Sequence, residues 1–194
     1  MLMPLDAQVD IPDDALLVLY ANGDQSAARI LTLRLTPKVF GHAFRMLGDR
    51  AEAEDVTQDA LIRLWKIAPE WRQGEAKVTT WLYRVVANLC TDRLRKVRGV
   101  DIDSIPEPED DSTGPAETLQ DKARVDALQA ALNELPERQR QAVVLRHIEG
   151  LSNPEISEIM DIGVEAVESL TARGKRALTK ALAGRRAELG YSDD

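Results

Sequence analysis

Between residues 99 and 121 the chain carries eight acidic side chains and no basic one: Asp101, Asp103, Glu107, Glu109, Asp110, Asp111, Glu117 and Asp121. Pro106, Pro108, Gly114 and Pro115 lie among them, with Ser112 and Thr113. Proline withholds backbone donors and like charges repel, so the stretch reads as an extended acidic linker with no core of its own. It divides the 194 residues into an N-terminal unit of roughly 100 residues and a C-terminal unit of roughly 70, each the size of a small domain.

The linker also dominates the charge. Its acids equal the formal net charge of the whole chain, −8, so the remainder is neutral on balance. Within that remainder, residues 84–98 and 173–186 are locally basic, so an acidic average does not exclude nucleic acid as a partner. Aromatic residues make up only 4% and hydrophobic residues 44%, which leaves aliphatic side chains to build the cores. With no strand-like alternation, the expected fold is all-α: two small helical domains joined by a flexible acidic linker.

Several chemistries are disfavoured at once. The lone Cys90 excludes an intramolecular disulfide and a cysteine-cluster metal site. His42 and His147 are far apart, and neither sits in a ligand motif. No nucleophile–base pair, glycine-rich phosphate loop or metal-ligand spacing stands out, so neither an enzyme nor a cofactor or metal is expected. His42 reads as a packed or half-buried residue, His147 as a cation suited to a helix end, and Cys90 as a small core residue. No apolar run approaches the roughly 18–20 residues of a membrane span. Residues 1–14 hold four Asp and no Lys or Arg, unlike a secretory signal, so a cytoplasmic location without membrane insertion is expected.

The expected order is an N-terminal extension over 1–25, a helical unit over 26–98, the linker over 99–121, a second unit over 122–183 and a frayed tail over 184–194. In the first unit, a helix over 27–47, bent at Pro37 and Gly41, stops at Gly48. Asp49 and Glu52 have capping-box spacing before a helix that ends ahead of Pro69. After a loop over 69–78, Thr79 or Thr80 caps a long helix reaching Arg98. In the second unit, helices over 117–135 and 137–148 end at Pro136 and Gly150. A short helix over 152–160, a break over 161–163 and a helix over 164–183 follow.

The last two helices carry the strongest local signal. Ile156, Ile159, Ile162, Val167 and Leu170 can close a small core between them, and the small Ser157 permits close approach. This is helix-turn-helix patterning, in which the second helix enters the DNA major groove. Its outward positions are Glu165, Ala166, Glu168, Ser169, Ala172 and Arg173, with Lys175, Arg176 and Lys180 placed for phosphates. A helical hairpin with a solvated charged face is the bland alternative. On the helix over 80–98, Arg84, Asn88, Thr91 and Arg95 form one polar stripe opposite Leu82, Val85, Val86 and Leu89. Arg93, Lys96 and Arg98 add charge where cations also suit the helix dipole. A loop bearing Trp71 precedes this helix, and an aromatic beside a basic stripe can stack on an unpaired base. On the helix over 52–68, Asp55, Gln58, Asp59, Ile62 and Lys66 share a face that by pattern alone reads as solvated.

Three stretches together resemble bacterial RNA polymerase sigma factors of the extracytoplasmic-function type, over residues 27–182. Ala53-Glu54-Asp55-Val56-Thr57-Gln58-Asp59-Ala60-Leu61-Ile62-Arg63-Leu64-Trp65 resembles the family's polymerase-binding helix. Thr79-Thr80-Trp81-Leu82-Tyr83-Arg84-Val85-Val86-Ala87-Asn88 resembles the start of its −10-reading helix. Leu135-Pro136-Glu137-Arg138-Gln139-Arg140, followed by Ser152-Asn153-Pro154-Glu155-Ile156, resembles its C-terminal DNA-binding domain. The resemblance implies a sigma region 2-like bundle and a region 4-like helix-turn-helix domain. Asp55, Gln58, Asp59 and Ile62 would dock on the clamp helices of the largest polymerase subunit. Trp71, Lys77, Arg84, Asn88, Asp92, Arg95 and Lys96 would hold the melted −10 strand. Glu165, Ala166, Glu168, Ser169, Ala172, Arg173, Lys175 and Arg176 would read the −35 element, with their domain seated on the flap of the second-largest subunit. An anti-sigma factor is the implied regulator.

Two features depart from the family pattern: Glu168 stands where many relatives carry a basic residue, and the turn reads Asp161-Ile162-Gly163. The acidic linker is expected to thread the polymerase cavity, and in the free chain to lie across the basic stripes. Less favoured readings are a sigma-like decoy for an anti-sigma factor and a simple helix-turn-helix regulator.

Overall fold

The computed structural model describes residues 11–99 and 119–185. The linker acids up to Glu117, the role proposed for them and the tail beyond Arg185 lie outside the described residues. Every regular element among the described residues is helical, as the composition implied: α1 (Asp13–Ala21), α2 (Gln25–Leu47), α3 (Arg50–Ile67), α4 (Val78–Gly99), α5 (Leu119–Asn133), α6 (Glu137–Val143), α7 (Asn153–Met160) and α8 (Val164–Ala183).

Helices α1 to α4 enclose one core, with Leu16 and Leu17 from α1, Leu31 and Leu35 from α2, Val56 and Leu64 from α3, and Leu82 and Val86 from α4 all buried. The stretch read as an N-terminal extension therefore contributes a helix to the first unit. Arg34 ties it to α2, donating to the Ile11 carbonyl at 2.7 Å and pairing with Asp13 at 3.1 Å. Helix α2 is continuous through Pro37 and Gly41 and ends at Gly48, whose φ of +69° is left-handed and whose N–H bonds the Phe44 carbonyl. Asp49 accepts from the Glu52 N–H at 2.9 Å, but the Glu52 carboxylate turns to Arg93, so only half of the expected capping box forms. Helix α4 begins at Val78, and Thr79 and Thr80 lie inside its first turn instead of capping it.

The second unit has two smaller clusters. Leu132, Leu135, Val143 and Val144 form one; Ala142, Leu145, Ile156, Ile159, Met160 and Val167 form the other. Leu119–Asp121, read as the end of the linker, belong to the first turn of α5. The helix expected over 137–148 is α6 followed by a π turn over Val144–Ile148. Ser152 caps α7 in a complete capping box with Glu155, and Asp161 ends it at φ +53°, a left-handed position that Asp tolerates. The Ser157 hydroxyl donates to the Ile162 carbonyl and braces the turn into α8. Helix α8 crosses α6 closely at Gly174, where an added Cβ would meet Val143 Cγ2 at 2.5 Å and the Gln139 carbonyl oxygen at 2.9 Å.

Candidate nucleic-acid and polymerase interfaces

Three outward surfaces carry the candidate residues. On α3, the buried side takes Ala53, Val56, Ala60 and Leu64, which forces Asp55, Gln58, Asp59 and Ile62 to the opposite face, where all four are exposed. Ile62 is 50% exposed, a large apolar side chain set among carboxylates. Arg93 of α4 reaches across to this edge: it bonds Glu52 and Asp59 and lies 3.9 Å from Asp55. Arg93 was read as part of the basic end of α4, yet its charge is spent on α3.

On α4, Arg84, Asn88, Asp92, Arg95 and Lys96 are exposed. Leu82, Val86 and Leu89 are buried beneath them, and Val85 is partly buried. Thr91 leaves the stripe: its hydroxyl donates to Glu137 of α6 at 2.7 Å. Lys77, at the start of α4, is exposed but pairs with Glu155 at 2.6 Å. That bond, with those from the backbone N–H and hydroxyl of Ser152, holds the Glu155 carboxyl down to about 2. Trp71 is half-buried. It packs on the first core at a right angle to Trp81, ring centres 6.1 Å apart, and its Nε1 is buried. A large apolar ring beside an open core edge turns inward unless something holds it out.

On α8, burial of Val167 and Gly174 leaves Glu165, Ala166, Glu168, Ala172, Arg173, Lys175 and Arg176 exposed and Ser169 half-buried. Asn153 of α7 donates to Glu168 at 3.4 Å, so this acid is partly engaged within its own domain. The surface is therefore acidic at its N-terminal end and basic from Arg173 onward.

The remaining singled-out groups are structural. Cys90 is fully buried, and desolvation pushes its thiol up to about 12. His42 is also fully buried; desolvation, then Arg45, brings it down to about 3, and neither ring nitrogen has a partner. His147 is exposed, and partial desolvation, Lys175 and Arg146 lower its pKa. The feature that helical spacing alone did not mark is a second face of α4: Tyr83 and Ala87 join the cluster of the C-terminal unit, and the Tyr83 ring also meets His42 of α2 edge-on, ring centres 5.1 Å apart. No helix among the described residues is long and apolar enough to cross a membrane.

The Sigma-70 region 2 family matches residues 31–99, and the Sigma-70 region 4 family matches residues 126–178. The chain is 32% identical over 179 residues to the ECF RNA polymerase sigma factor SigE of Mycolicibacterium smegmatis, covering 89% of this chain and 69% of that one. It is 32% identical over 171 residues to SigW of Bacillus subtilis, covering 82% and 91%. Among solved structures, the sigma factor RpoE of Bartonella quintana, crystallised with the anti-sigma factor NepR, has the same fold, with a TM-score of 0.64 at 23% identity over 80% of this chain and 96% of that one. The two helical units, their order and these likenesses together establish that the chain belongs to the extracytoplasmic-function family of RNA polymerase sigma factors, the subunits that direct promoter-specific initiation.

Proposed function

We propose that the three exposed surfaces divide the work of initiation. The α3 face of Asp55, Gln58, Asp59 and Ile62 docks on the clamp helices of the largest polymerase subunit. There Ile62 supplies apolar contact and the carboxylates choose a basic partner. The α4 stripe of Arg84, Asn88, Asp92, Arg95 and Lys96, with Lys77 at its start, holds the melted −10 strand. Its cations contact phosphates, while Asn88 has both donor and acceptor for a base edge. Trp71 acts from beneath as support for this surface. The α8 face from Glu165 to Arg176 enters the major groove at the −35 element, with Arg173 the strongest candidate for a guanine edge. The second unit rests on the flap of the second-largest subunit. The domain limits follow the same reading: 26–98 for the first unit, extended by α1, and 122–183 for the second.

The observation that carries this reading is the exposure of Arg84, Asn88 and Arg95 as one stripe on a helix whose opposite side is buried. The chain contributes no catalysis of its own and works in the cytoplasm, where polymerase and chromosome meet. An anti-sigma protein holds it inactive; the structural relative RpoE was crystallised in complex with one, NepR.

The test is transcription with bacterial core polymerase on fragmented DNA from the source organism, followed by sequencing of transcript 5′ ends. Discrete starts preceded by a shared two-part motif support the reading; absence of core binding overturns it. Asp59→Arg is expected to abolish core binding. Asn88→Ala is expected to preserve core binding and lose open complexes. Arg173→Ala should weaken initiation by about 1–3 kcal/mol, confined to promoters with the native −35 base it contacts.

A further inference from the structure

Along α8 the acids come first and the cations after. Glu165 and Glu168 face outward in its N-terminal half, and Arg173 is the first cation along it. The N-terminal residues of a recognition helix are the ones that meet base edges, between two walls of phosphate. A carboxylate placed there is repelled by the phosphates and recovers nothing unless a base donates to it. The helix dipole accounts for Glu165, which stands in the first turn. It does not account for Glu168, a turn further on, because the effect falls off within the first turn.

Glu168 is also held in place. Asn153 Nδ2 donates to Glu168 Oε1 at 3.4 Å, reaching from the start of α7 to the face of α8. Asn153 is the first residue of α7, and the capping box of Ser152 with Glu155 fixes the backbone there. Among the described residues no cation pairs with Glu168, so its charge is not spent within the fold as that of Arg93 is. One oxygen is turned to Asn153, and the other is left to accept from outside the domain.

The major-groove edges of the four bases sort such an acceptor sharply. Guanine presents O6 and N7, both acceptors, and thymine presents an acceptor and a methyl group, so both reject a carboxylate. Adenine sets its N6 donor beside the N7 acceptor. Cytosine presents its N4 donor with no acceptor of its own on that edge. We infer that Glu168 is a specificity-determining residue of the −35 contact that selects a cytosine, with Asn153 as the positioning residue that aims it. The inference rests on the functional reading of α8 given above and adds the base that this part of the helix takes.

The test is transcription by core polymerase carrying the full chain on promoters randomised across the −35 element, read as the base preference at each position. One position is expected to favour cytosine by at least about fivefold over any other base. Glu168→Gln should move that position toward adenine and Glu168→Arg toward guanine, the bases those side chains bond bidentately. Preferences kept at the other positions report that the domain is folded. Asn153→Ala should reduce the cytosine preference by roughly two- to fivefold without changing the base chosen. Asn153→Asp keeps the shape and suits a helix N-terminus but has no donor, so it should lose the same preference, whereas a merely structural Asn153 would tolerate it. A −35 preference that neither Glu168 variant moves, or that moves at a position where the wild type takes A·T, overturns the proposal. A cytosine preference unchanged in both Asn153 variants overturns the positioning role. Failure to bind core polymerase, or initiation with no −35 preference at all, overturns the functional reading and this inference with it.

Discussion

The two units solve the same packing problem differently. The first surrounds a single core with four helices, so Leu16, Leu17, Leu31, Leu64 and Leu82 are all sealed at 0–1% exposure. The second splits its apolar surface into two clusters, one of which takes in Tyr83 and Ala87 from α4 of the first. The smaller unit has too little interior to bury its share alone, so it relies on capping, tight helix crossings and a borrowed surface. The larger unit depends on volume. The difference teaches where each is vulnerable: the first to a cavity, the second to a backbone contact or a lost cap.

The largest effect is expected at the deep core. Leu17→Ala should cost about 2–5 kcal/mol in denaturant unfolding, because a fully buried side chain leaves a cavity. An unchanged midpoint would show that α1 is an ornament on the first unit and not part of its core. Next comes Gly174→Ala, an enlargement in place of a deletion. The α6–α8 crossing has no space for the methyl, so a loss of about 1–3 kcal/mol is expected, and thermal melts followed at second-unit residues should report it first.

Acid tests the first unit again. His42 is held neutral at about 3 in the fold against 6.5 when exposed. Its folded pKa is lowered, so the unfolded state binds the proton first. Stability is full above pH 6.5 and falls as pH drops through the window toward 3, with a slope approaching 1.4 kcal/mol per pH unit. Unfolding free energies between pH 6.5 and 5, above most carboxylate titration, should show that slope in the wild type, and His42→Phe should flatten it. The smallest effect is expected at the α7 cap. Ser152→Ala removes the hydroxyl half of the capping box, leaves the backbone N–H of residue 152 donating to Glu155, and should cost about 1 kcal/mol. If it costs as much as Leu17→Ala, the contrast between a volume-based and a cap-based unit does not hold.

Much of this was legible in the chain before folding was considered. The bounds of α8, the Gly48 and Gly150 stops, the Ser152–Glu155 cap and the exposed faces of α3 and α8 all follow from local rules. Helical periodicity sorts residues by face, and caps act within one turn, so neighbours in sequence suffice to place them. Family resemblance supplied roles that periodicity cannot, because a solvated face and a docking face have the same pattern. Helix α1 escaped because Leu16 to Tyr20 is apolar all round and gives no amphipathic period. The packing of Trp71 on the first core and against Trp81 is a tertiary contact that the sequence around its loop does not carry.

What the sequence determined alone is the helical class, the two-unit division and which side chains each helix turns outward, since those depend on spacing and turn chemistry within single elements. What only the tertiary structure decided is which outward side chains are truly free. Arg93 serves the α3 carboxylates, Thr91 serves Glu137, Gly174 admits α6, and Tyr83 with Ala87 belongs to the other unit. Each of these depends on a contact between residues tens of positions apart, and a helix's own periodicity records that a side chain leaves its axis on one side, not what it meets there.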